Sequence, residues 1–113
     1  MRRKYLFSAI VFCIVTSFGT VQANQQQSTF GHIIWFETGW SQDTMAVILD
    51  VPMVNPSGCH VITVGYALDP TDPGVRVHEA ALMGAYFANK RVAIRADGCV
   101  FDKPRIIGVA VQN

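Results

Sequence analysis

The sequence predicts a mainly β domain with a single helix, of the α+β class. Three observations point there. Short apolar segments alternate with period two. One segment of helical spacing follows the loop DPTDPG at 69–74. Two cysteines remain once an export-type N-terminus is set aside. In that N-terminus, Arg2, Arg3 and Lys4 precede an almost wholly apolar run from Tyr5 to Phe18, and Val21-Gln22-Ala23 closes it with small outer residues. This reads as a secretory signal peptide over residues 1–23. A membrane-spanning helix needs about 20 apolar residues, more than the run supplies. The expected location is the periplasm or the extracellular space, and the mean hydropathy of +0.28 is raised by this segment.

Removing 1–23 from the 113 residues leaves 90, with six basic and eight acidic side chains and a net charge of −2 with histidine neutral. That is room for one domain, expected over 30–113, with no basic surplus to hold a nucleic-acid backbone. Cys13 leaves with the signal peptide. Cys59 and Cys99 are an even pair in an exported chain and read as one disulfide. Closing a loop of about 40 residues is worth roughly 4 kcal/mol in the loop-entropy model. This matters for a domain burying only a little over about 60% of its unfolded surface. No C-x-x-C suggests redox chemistry.

Asn24 to Thr29 (NQQQST) is polar, lacks apolar anchors and reads as a flexible leader. Gly31 to Thr38 (GHIIWFET), rich in β-branched and aromatic residues, is the first expected strand. Gly39 to Asp43 supplies turn residues. Thr44 to Val51 (TMAVILDV) is the second strand, apolar on both faces and so expected to be covered. Pro52 to Gly58 breaks the pattern. Cys59 to Leu68 (CHVITVGYAL) is the third, with Gly65 suggesting a bulge or a close backbone approach. Asp72 and Pro73 fit an N-cap and a first helical position, and Val75 to Asn89 carries apolar residues at helical spacing. Gly84 weakens that helix by up to about 1 kcal/mol relative to alanine. Arg91 to Asp97 alternates cleanly as a half-buried strand, a connection holds Cys99, and Arg105 to Gln112 is the last strand.

The expected order is β-β-β-α-β-β with one disulfide, Cys59–Cys99. Five strands with a helix between the third and fourth is the element order of a five-stranded OB-fold-like barrel. Chemistry is sparsely marked. His32, His60 and His78 form no zinc spacing. No G-x-S-x-G elbow surrounds Ser41 or Ser57, and no glycine-rich phosphate cradle occurs. Neither catalytic nor metal-ligating residues are assigned, no cofactor is expected, and the chain reads as a non-enzyme. Binding is the remaining class. Trp35, Phe36 and Trp40 cluster at the first turn beside Glu37, Ser41, Gln42, Asp43 and Thr44. Aromatic faces ringed by carboxylate, amide and hydroxyl groups suit the C–H faces and hydroxyls of a sugar. The candidate glycan contacts are Trp35, Trp40, Ser41, Asp43 and Thr44, with Tyr66 as an aromatic carrying a polar tip. The competing expectation is an envelope protein-interaction or structural domain that docks another protein.

A longer pattern runs from Asn55 to Val111. It comprises Asn55-Pro56-Ser57-Gly58-Cys59, then Gly65-Tyr66 and Asp69-Pro70. The helix Ala80 to Ala88, the basic step Lys90-Arg91, Asp97-Gly98-Cys99 and Pro104 to Val109 complete it. This resembles small exported bacterial proteins related to the B subunits of subtilase-cytotoxin-like and pertussis-like toxins. The matching positions are Gly58, Cys59, Gly98, Cys99 and Pro104. The resemblance implies an OB-type barrel with one disulfide and assembly as a homopentamer. It also implies binding of cell-surface glycans or glycoproteins and a catalytic A-type partner whose identity the sequence leaves open.

Overall fold

The computed structural model describes residues 24–39 and 41–113. The signal peptide expected over 1–23 lies outside the described residues, as does Trp40. Within them the elements are β1 (Gln26–Gln27), β2 (Gly31–Thr38), β3 (Met45–Leu49), β4 (Tyr66–Ala67), α1 (Val75–Phe87), β5 (Arg91–Val100) and β6 (Lys103–Gln112). Over the described residues the molecule is mainly β with one helix, and Cys59 is bonded to Cys99.

The strands pair in the order β5-β2-β3-β4-β6, and β6 returns to β5, which makes a ring of five strands with β1 outside it on β5. All pairings are antiparallel except β4 with β6, which run parallel at Ala67 and Arg105. Met45, Val47 and Leu49 of β3 point into the ring, where they meet Ile33, Tyr66, Val92, Ile94 and Ile106. Ala46 on the opposite face is also buried, so β3 is covered on both sides as its composition predicts. Val75, Leu82 and Ala85 of α1 close the core.

Among the described residues four strands precede the helix, so the order differs from the expected β-β-β-α-β-β. The additional strand arises in the polar leader. Gln26 and Gln27 pair with Ala96 and Arg95, and Ser28 is buried. The Ser28 backbone N–H donates to Ile94 O at 2.9 Å while its Oγ accepts from the Ile94 N–H at 2.9 Å. The leader completes the hydrogen bonding of β5 beyond the reach of β2, which pairs with β5 only at Val92 and Arg91.

The third strand, expected over Cys59 to Leu68, is confined to Tyr66–Ala67. Val61 donates its backbone N–H to Asp102 O at 2.9 Å instead of to a strand, and Ile62 and Thr63 are exposed. Gly65 ends the irregular segment at φ 83°. A Cβ there would lie 1.9 Å from Val47 O, so the close approach requires glycine.

The helix ends at Phe87 rather than Asn89, and its N-cap is Gly74 rather than Asp72. The Asp72 carboxylate is engaged by Arg105 Nη1 at 3.0 Å. At the other end Asn89 takes φ 54°, its N–H bonds Tyr86 O, and the Lys90 N–H bonds Ala85 O at 2.8 Å. This is the paired C-terminal closure of a Schellman motif. The connection expected around Cys99 shortens to Phe101 and Asp102, because β5 runs on to Val100, which pairs with Lys103.

Candidate functional site

A cleft of about 380 Å³ opens where the β2–β3 turn faces the β5–β6 hairpin. Its floor follows from the register. Glu37 pairs with Ala46, and Ala46 pairs with Ala67, so three strands set these residues side by side on one face. Two neighbouring alanines leave space that larger side chains would fill. Gly39 and Gln42 form one rim, and Phe101 and Lys103 the other. Among the described residues, neither Glu37 nor Lys103 belongs to an ion pair. The cleft therefore offers an apolar floor, an exposed aromatic ring, one carboxylate and one ammonium. That set suits a ligand with an apolar ring face and polar edges.

The residues singled out in the sequence occupy different places. Thr44 lines the cleft, but its hydroxyl already donates to Leu68 O at 2.6 Å. Ser41 and Asp43 are exposed in the turn, and Asp43 accepts from Arg76 Nη2 at 3.0 Å, tying the turn to α1. Trp35 is half-buried on β2 opposite Ile48, away from the cleft lining. Tyr66 is a core side chain whose hydroxyl oxygen accepts from the Val54 N–H at 2.8 Å. Burial pushes its phenol pKa up, partly opposed by that backbone bond. Trp40 is outside the described residues.

The residues that complete the cleft carry no sequence signal of chemistry. Ala46 and Ala67 read as ordinary strand residues, and their adjacency comes from pairing across about 20 positions of chain. Phe101 and Lys103 sit in what reads as a plain connection. The available signal was the pair of expected strands, Arg91 to Asp97 and Arg105 to Gln112, on either side of one connection, which implies a hairpin but does not place its tip. Among the described residues no group of three or more metal-ligating side chains gathers, and no helix is long and apolar enough to cross a membrane. Comparisons with family models, with curated proteins and with solved structures each found no match for this chain.

Proposed function

We propose that this chain is an exported, non-catalytic binding module that recognises carbohydrate in the cleft between the β2–β3 turn and the β5–β6 hairpin. The observation that carries it is the cleft itself, with the Ala46 and Ala67 floor, the Phe101 ring and the polar rim of Glu37, Gln42 and Lys103. We read the five-strand ring as an OB-type barrel. In such barrels the second and third strands and the loops 1–2 and 4–5 bind oligosaccharides and oligonucleotides, and here β3, β4 and the two corresponding connections bound the cleft. The net charge of −2 after residues 1–23 disfavours a polyanion. Export is supported by the basic and apolar N-terminal pattern and by the disulfide.

A glycan panel on residues 24–113 with the disulfide intact tests this. Wild type binds at least one glycan. Ala46→Leu, which fills the floor without altering charge, lowers that affinity at least tenfold. No binding by wild type across a broad panel sinks the proposal. A homopentamer serving a catalytic partner, as the toxin-B-like pattern implies, belongs to the same reading.

A second reading, an envelope protein-interaction domain, is favoured by the outer face of α1. Val77 and Phe87 are each 72% exposed there, beside exposed Met83. Capture from periplasmic extract separates the two, since free sugar releases partners of a lectin and leaves a protein–protein contact intact.

A further inference from the structure

The tip of the β5–β6 hairpin has an unusual backbone. Phe101 lies at φ 50° and Asp102 at φ 58°, so both central residues are left-handed. Two-residue hairpins of this hand select Asn-Gly or Asp-Gly, because an L side chain at positive φ crowds its own backbone. A bulky aromatic there is an outlier. The core does not explain it. Phe101 is 50% exposed and stands outside the buried cluster, and it lines the cleft instead.

Its neighbour is strapped down. Asp102 O accepts from the Val61 N–H at 2.9 Å, Asp102 Oδ1 accepts from the His60 N–H at 3.3 Å, and Oδ2 lies 3.5 Å from His60 Nδ1. The Cys59–Cys99 bond joins the same two segments one step further back. A strained residue persists where its surroundings over-determine it, and such residues concentrate at ligand sites.

We infer that Phe101 is the aromatic contact on which ligand binding in the cleft depends, and that Asp102 is its positioning residue, strapping the hairpin tip to residues 60 and 61. The inference rests on the cleft being a ligand site, and it names the group that meets the ligand's apolar face. It trades backbone comfort for binding.

The test uses 1-anilinonaphthalene-8-sulfonate as the probe, an aromatic anion that matches Phe101 and Lys103. Binding is followed by fluorescence and by amide shifts at Ala46, Ala67 and Lys103 in oxidised residues 24–113. Wild type takes the probe in the cleft. Phe101→Asn, which tolerates positive φ, raises the unfolding midpoint by a few degrees and weakens probe binding at least tenfold. Asp102→Gly keeps the turn but removes the carboxylate, and weakens binding several-fold. Asp102→Asn retains an acceptor for the His60 N–H and restores most of it.

A lower midpoint for Phe101→Asn, unchanged binding by it, or no wild-type shifts at those amides overturns the role of Phe101. Wild-type binding by Asp102→Gly overturns the role of Asp102. A glycan that binds wild type and Phe101→Asn equally defeats this inference while leaving carbohydrate recognition standing. Probe behaviour as expected with no glycan bound does the reverse.

Discussion

Tyr66 and Gly65 sit together where β4 begins, against Val47 of β3. The Tyr66 hydroxyl oxygen serves the Val54 N–H inside a buried site. Tyr66→Phe leaves that donor unpaired, and denaturant unfolding should show a loss of about 1–2 kcal/mol. Burial raises the phenol pKa from 10.0, so the folded state holds its proton more tightly than the unfolded chain. The associated stability is fully present below about pH 10 and is lost as pH rises beyond it. Wild type should therefore show an alkaline loss of stability that Tyr66→Phe lacks. The Asp69 carboxyl moves the other way, lowered from 3.8 chiefly by hydrogen bonds from the Thr71 hydroxyl and backbone N–H. Its contribution is present above that value and fades as pH falls below it. At Gly65 an added Cβ would meet Val47 O, and Gly65→Ala should cost ~3 kcal/mol, measured by thermal or denaturant unfolding.

At the scale of elements, the long segment from Val51 to Gly65 is secured by cross-ties rather than by a ladder. Asn55 closes a local loop, accepting from the Cys59 N–H and donating to Cys59 O, both at 2.8 Å. Ser57 Oγ accepts from the Gly98 N–H at 2.8 Å, and the disulfide spans 40 residues. Replacing both cysteines by serine should lower stability by about 4 kcal/mol in the loop-entropy model, with the excess flexibility concentrated in this segment by hydrogen exchange. The helix start is a second case. Asp72 contacts Arg105 with both oxygens, at 3.0 and 3.4 Å, instead of capping α1. Asp72→Ala should cost about 1 kcal/mol, and a cycle with Arg105→Ala should return most of it as coupling between the two side chains. A pure capping role would leave the two changes additive.

For the whole molecule, the outer face of α1 is an apolar surface that the ring of strands leaves uncovered. Ala80 and Gly84 lie between Val77 and Phe87 there, and a Cβ added at Gly84 meets nothing within 4 Å. Native mass spectrometry of oxidised residues 24–113 should show a pentamer if the toxin-B-like reading holds. A monomer removes the ring of subunits and leaves the cleft as a property of the single chain.

What local pattern controls is legible in the residues alone. β-Branched and aromatic composition over Gly31 to Thr38 and alternation over Arg91 to Asp97 set two strands, helical spacing set α1, and the even cysteine pair set Cys59–Cys99. Local pattern also marked the first turn, one wall of the cleft. Tertiary structure decided the rest. The apolar string HVITV at 60–64 has β composition, yet its backbone partners lie on Asp102, so no strand forms. The polar leader has no strand composition, yet β5 needs a partner and obtains one. The cleft exists because Ala46 and Ala67 meet across two strands and because a strained Phe101 is brought to its rim. Periodicity reports which face of a segment is buried. It carries no record of which distant small residues become neighbours, or of backbone strain held in place by a strap from elsewhere in the chain.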